Sequence, residues 1–163
     1  MMQVNNPAAS FTRPANTTAY AAGQLVANST TAGSVVPMAF TLGNSFGPGQ
    51  FRMMRYRLVK SSTSVANATF RLHLYEAQPA VANGDGGTWL SSLAAHWLGN
   101  MDVSAMYAFS DGAAGTGADP AGAEAFIKMY QGKVIYGLLM ALGACTPASG
   151  ETFTVVLEEL DAF

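Results

Sequence analysis

Cysteine is almost missing from this chain. A single one, Cys145, in 163 residues excludes an internal disulfide framework and any multi-cysteine metal site. It closes the apolar run that begins at Leu138, where a thiol serves as a small buried hydrophobe, and no base or cationic neighbour in the sequence marks it as a nucleophile. Histidine is nearly as scarce. His73 and His96 have no second His or Cys at helix or hairpin spacing, so neither reads as a zinc ligand. Charged residues make up 11% of the chain, against about 25% in an ordinary domain. With 50% hydrophobic residues, that composition argues against intrinsic disorder. Eight basic residues against ten acidic ones leave a net charge of −2, which argues against direct nucleic-acid binding. Long apolar runs are lacking too. The longest, Val134 to Cys145, falls short of the roughly twenty residues of a membrane-spanning helix, so no membrane partner is expected. The opening Met1-Met2-Gln3-Val4-Asn5-Asn6 has no basic stretch followed by an apolar core, so a signal peptide is not expected.

What is present is turn chemistry and alternation. Residues 1 to about 50 are rich in Ala, Asn, Thr and Gly, and carry Pro7, Pro14, Pro37 and Pro48, a spacing that helices do not tolerate. They read as an extended N-terminal arm, residues 1–10, followed by short strands. Ser34 to Leu42 reads as a strand with Val36, Met38, Phe40 and Leu42 on one face, and Pro37 places it at an edge or a bulge. Gln50 to Lys60 is the clearest strand, with Arg55, Arg57 and Val59 on one face and Met54, Tyr56 and Leu58 on the other. After the Ser/Thr turn at 61–64, Ala68 to Glu76 alternates Phe70, Leu72 and Leu74 with Arg71, His73 and Tyr75, the pattern of a half-buried antiparallel strand with a polar face. Gln78 to Thr88 is a long loop. Trp89, Leu93 and Trp97 recur at helical spacing, giving a short helical turn that runs into a strand over 97–103. Asp111 to Gly122 reads as a further loop, and Ala125–Tyr130, Lys133–Leu142 and Glu151–Leu160 as the last three strands. Short strands separated by turn signals predict an all-β fold: one antiparallel, jelly-roll-like β-sandwich over 11–163 with at most one short helix.

Several motifs fit a catalytic pattern and lose to a plainer reading. Gly43-Asn44-Ser45-Phe46-Gly47 matches the hydrolase elbow, with Asp85 and His96 following in order, but Pro48-Gly49 and a strand come where the mechanism needs a helix. The segment reads as a turn. Asp85 and Asp111 sit in glycine-rich turns that lack the alternating oxygen ligands of a calcium loop. Glu158 and Glu159 are adjacent on a strand and point to opposite faces. No glycine run leads from a strand into a helix with a following lysine, so no phosphate loop is supported. No catalytic residue, metal or cofactor is expected.

Charge is unevenly placed. Arg52, Arg55, Arg57, Lys60 and Arg71 stand against Glu76 alone between residues 50 and 76, a local +4 that leaves −6 for the remainder. Arginine predominates in this set and loses less than lysine on desolvation, so these five residues are candidates for docking to an acidic partner.

The string Phe11-Thr12-Arg13-Pro14-Ala15-Asn16-Thr17-Thr18-Ala19-Tyr20, followed by Gly23-Gln24-Leu25-Val26-Ala27-Asn28-Ser29, resembles the opening of small virion-associated proteins of tailed bacteriophages and prophages. The resemblance continues through the basic strand Arg52 to Lys60, the turn Ser61 to Ser64, the strand Phe70 to Tyr75, the loop Pro79 to Asp85 and the ending Thr146 to Phe153. Asn16 departs from it, where an acid is expected. The resemblance implies a non-enzymatic structural protein of the particle, a head decoration or cement protein. Its partners would be the major capsid protein and further copies of itself, with a trimer favoured. It would be made in the host bacterial cytoplasm and reside on the capsid surface. Met1, Met2, Gln3, Val4, Asn5 and Asn6 are then candidates for reaching a neighbour. A tail or head–tail connection component is the alternative, and a sugar-binding sandwich using Trp89 and Trp97 a more distant one.

Overall fold

The computed structural model describes residues 4–42, 50–117, 125–128 and 134–162. Among these residues twelve strands form two antiparallel sheets packed face to face. They are β1 (Val4–Asn5), β2 (Ala8–Thr12), β3 (Leu25–Val26), β4 (Met38–Thr41), β5 (Gln50–Lys60), β6 (Phe70–Tyr75), β7 (Trp97–Val103), β8 (Tyr107–Ala108), β9 (Ala113–Gly117), β10 (Ala125–Lys128), β11 (Val134–Ala141) and β12 (Thr152–Ala162). A single 3-10 turn, Ser91–Ala94, precedes β7.

Setting aside the short accessory strands β1, β3, β8 and β10 exposes the connectivity. One sheet then runs β2-β12-β5-β9 and the other β4-β11-β6-β7. Numbered along the chain, those are the first, eighth, third and sixth strands against the second, seventh, fourth and fifth. This is a jelly roll, with chain crossing between sheets at nearly every step. Alternation drives it. Tyr56 and Leu58 of β5 and Phe153, Val155 and Leu157 of β12 meet Phe70, Leu72 and Leu74 of β6 and Ile135 and Leu139 of β11 in one buried core. Phe153 anchors one end, stacked on Phe11 at 5.4 Å and edge-on to Phe70 at 5.5 Å.

Four expectations need correction. The N-terminus is not a free arm from Val4 onward. β1 and β2 both pair with β12, and Leu157 N donates to Pro7 O between them, so residues 4–12 are an edge of the sheet. Val36 does not share the buried face of Met38, Phe40 and Leu42; it is exposed, and the strand begins only after Pro37, whose missing N–H cannot serve the ladder. The 111–122 segment is not all loop, because Ala113–Gly117 is a strand. Its glycines make room: a Cβ on Gly117 would stand 2.1 Å from Tyr56 Cε1, and one on Gly115 would stand 2.7 Å from Val103 Cγ1. Finally, the His73 and Tyr75 face of β6 is buried. The chain over 76–96 folds across it, so that Leu25, Val35, Tyr75, Val81, Leu93 and Leu138 form a second small core. The Gly43–Gly47 turn lies outside the described residues.

Candidate interaction surface

The sequence nominates one charged segment, and the structure divides it. Arg55, Arg57 and Val59 lie on the outer face of the first sheet, while Tyr56 and Leu58 point inward, as the alternation requires. Lys60 has the inward parity. It is 3% exposed and its Nζ lies 2.8 Å from Glu151 Oε1, while Glu151 Oε2 accepts from Ala148 N at 3.1 Å. A lysine that is buried and neutralised in this way cannot dock to an acidic partner, so Lys60 leaves the candidate set. Arg71 stands on the other sheet, where its Nε and Nη2 donate to both carboxylate oxygens of Asp102 on the adjacent strand, at 2.6 and 2.7 Å. Arg55 pairs across the ladder with Glu158.

Strand register brings together residues that the sequence separates. Val4 stands beside Leu160, Leu160 beside Arg52, and Arg52 beside Phe126. Asn5 stands beside Glu159, which stands beside Met53. Candidate residues Val4, Asn5 and Arg52 therefore share the distal end of the first sheet, where β1 and β10 flank the ends of β12 and β5, and exposed Asn6 follows directly. Met1, Met2 and Gln3 lie outside the described residues.

The proximal half of the same sheet presents a broad outer face on which small, uncharged side chains surround exposed Arg57. Ala8, Ser10 and Thr12 of β2 stand against Val156, Thr154 and Thr152 of β12. The hydroxyls of Ser10 and Thr154 are 2.7 Å apart, and those of Thr12 and Thr152 2.9 Å, so the face carries its own hydrogen bonds. At the far edge Tyr107 is 69% and Phe109 60% exposed. Between Phe109 and β12 lies a shallow depression of about 210 Å³, lined by Val59, Ser61, Asp111, Thr152 and Thr154.

A buried polar cluster holds the N-terminal segment against this body, and nothing in the sequence signals it beyond the turn residues themselves. Arg13 Nε donates to Tyr20 Oη at 2.9 Å, and its Nη2 donates to Asn16 Oδ1 and Asp85 Oδ2, both at 3.1 Å. Its Nη1 donates to the carbonyls of Asn16 and Ala148. Tyr20 Oη donates to Asp85 Oδ1 at 2.6 Å, and Ala27 N donates to the same oxygen at 2.8 Å. Burial, then the Asp85 carboxylate, raise the Tyr20 phenol far above its ordinary range, so it remains a donor. Asp85, a turn residue in the sequence, is the hub that joins three separate segments.

On the second sheet His73 is stacked on Trp89 at 4.2 Å and lies 6.0 Å from Trp97. Burial, reinforced by nearby Arg71, lowers the His73 pKa to about 4, and its Nε2 has no partner among the described residues. One face of Trp89 is thereby occupied, which leaves half-exposed Trp97 as the freer ring. His96 is exposed, at φ +58°, with Nδ1 3.2 Å from Glu76 Oε1. Cys145 is buried, and burial raises its pKa. Among the described residues no three His, Cys, Asp or Glu side chains are placed to hold a metal ion, and no helix is long and apolar enough to cross a membrane. No protein-family model and no curated protein matches the chain.

Proposed function

We propose that this chain is a non-enzymatic structural protein of a phage particle, which decorates the capsid and stabilises the shell by bridging neighbouring major capsid subunits. The observation that carries the reading is how the chain disposes of its few charges. Arg13, Arg55, Lys60 and Arg71 are each matched to a carboxylate of the same chain. What remains outward on the first sheet is a wide, hydrogen-bonded β-surface edged by Tyr107 and Phe109, on which Arg57 and Asp111, of opposite sign, are the unpaired charges among the described side chains. Such a surface loses little when water is removed from it, which suits a protein that works as one of many copies in an assembly. The jelly roll agrees with this use, since viral shells employ it, although that is analogy from fold alone. The resemblance of the Phe11–Tyr20 and Gly23–Ser29 strings to phage virion proteins supplies the rest.

In this reading the distal end of the first sheet, with Val4, Asn5, Asn6 and Arg52, faces the shell. A chain that binds the assembled shell and not its separated subunits stabilises it by mass action. The test is to add the purified chain to heads that lack it and record occupancy and thermal rupture. Binding with a raised rupture temperature supports decoration; absence of binding refutes it. Localisation at the tail or its junction would establish the connector reading instead.

A further inference from the structure

Charge pairing within the chain is nearly complete, and its exceptions are informative. Among the described side chains Arg57 is the one arginine or lysine without an ion-pair partner, and Asp111 is the one carboxylate without one. Both are exposed, and both belong to the outer face of the first sheet. Arg57 lies on β5 between Val156 and Thr116. Asp111 lies in the turn from β8 to β9 and lines the depression beside Val59 and Ser61. Because Lys60 pairs with Ala113, Asp111 stands beyond the Ser61 end of β5, whereas Arg57 lies toward the other end. The two opposite charges therefore flank the row through Val59, separated by about five residue rows or ~17 Å along the strands.

We infer that this face is a two-fold contact between two copies of the chain, with Arg57 of each meeting Asp111 of the other. A two-fold axis lying between the facing sheets and crossing β5 at Val59 exchanges the two ends of the patch, and so sets unlike charges opposite each other twice. It also brings the central row onto itself. That row runs Ser10, Thr154, Val59, Ala114, Tyr107 by direct register, and holds no charge to repel its own copy. Half-exposed Val59 and prominent Tyr107 provide its apolar contact. The pairing packs sheet on sheet in the manner of the sandwich itself. A three-fold ring, which the sequence reading favoured, would need the two charges on different sides of the chain, and they share one. The inference is independent of the capsid proposal, since it concerns the purified chain in buffer.

The test is sedimentation velocity on the full chain over a wide concentration range, at low and moderate salt. The wild type forms a dimer. Arg57→Asp and Asp111→Arg each place like charges at both ends of the contact and weaken dimerisation by about 10- to 100-fold. The double variant R57D/D111R restores it to within a few-fold. Both positions are exposed and unpaired, so circular dichroism and the urea midpoint stay as in the wild type, which separates loss of contact from loss of fold. A monomeric wild type, a trimer, single variants that dimerise normally, or a double variant no better than the singles would each overturn the inference.

Discussion

Replacing Asp85 with alanine strikes the joint on which the N-terminal third depends. Three partners lose their acceptor at once: the Arg13 guanidinium, Tyr20 Oη and Ala27 N. The Arg13 side chain is fully buried, so its charge has no access to water when the carboxylate is removed. Breaking a buried pair from one side costs about 3–5 kcal/mol, because the remaining charge stays desolvated. That is a large share of the roughly 5–15 kcal/mol that holds a domain folded. With a urea dependence of about 2 kcal/mol per molar, the midpoint falls by about 2 M. Arg13→Met alone leaves the carboxylate with Tyr20 and Ala27 and costs less. The double variant R13M/D85L removes both charges and recovers much of the loss, since a matched apolar pair replaces a buried ion pair at little cost. Equilibrium urea unfolding followed by tryptophan fluorescence reads all four proteins. A midpoint shift under about 0.5 M for Asp85→Ala, or a double variant no more stable than Asp85→Ala, would refute the cluster as the joint.

Three further outcomes follow from other parts of the molecule. His73 has a folded pKa of about 4 against an ordinary 6.5, so the unfolded chain binds more protons between those values. Its contribution is complete above about pH 6.5 and is lost as pH falls toward 4, by up to about 3 kcal/mol; His73→Phe keeps the stack on Trp89 and flattens this part of the urea-midpoint profile, and an unchanged profile would contradict the assignment. Cys145 should resist a water-soluble disulfide reagent in the native protein and react fully in denaturant; rapid native labelling would show the thiol to be accessible. Gly117→Val forces a side chain into the Tyr56 ring and should lower stability by about 1–3 kcal/mol in thermal unfolding, and a neutral effect would show that β9 is not packed as described.

The parts of the fold that were legible are those whose own side chains alternate. β5 spans the predicted Gln50 to Lys60, and β12 and β6 lie within a residue or two of expectation, because Tyr56-x-Leu58, Phe153-x-Val155-x-Leu157 and Phe70-x-Leu72-x-Leu74 each bury one face. β9 was not legible, since Ala113-Ala114-Gly115-Thr116-Gly117 is a strand by virtue of bulk on other strands, Tyr56 above all. The polar reading of Arg71, His73 and Tyr75 missed the burial of the last two for a similar reason: the cover comes from the 76–96 loop, which nothing in β6 announces. Charge was misread where partners are remote. Lys60 and Glu151 are 91 residues apart, and Arg13 and Asp85 are 72 apart, so neither pairing leaves a local pattern. Local excess of arginine in residues 50–76 suggested one basic surface, whereas strand parity and two separate sheets divided it into an outward pair, an inward lysine and a distant arginine.

The central claim is that this chain coats a capsid in many copies. Quantitative mass spectrometry of purified particles, calibrated on the shell and tail proteins, measures it directly. Decoration predicts a copy number on the order of hundreds, in fixed ratio to the major capsid protein, whereas about a dozen copies or fewer would fit a ring at the tail or connector. That low number, or the absence of the chain from particles, would contradict the account.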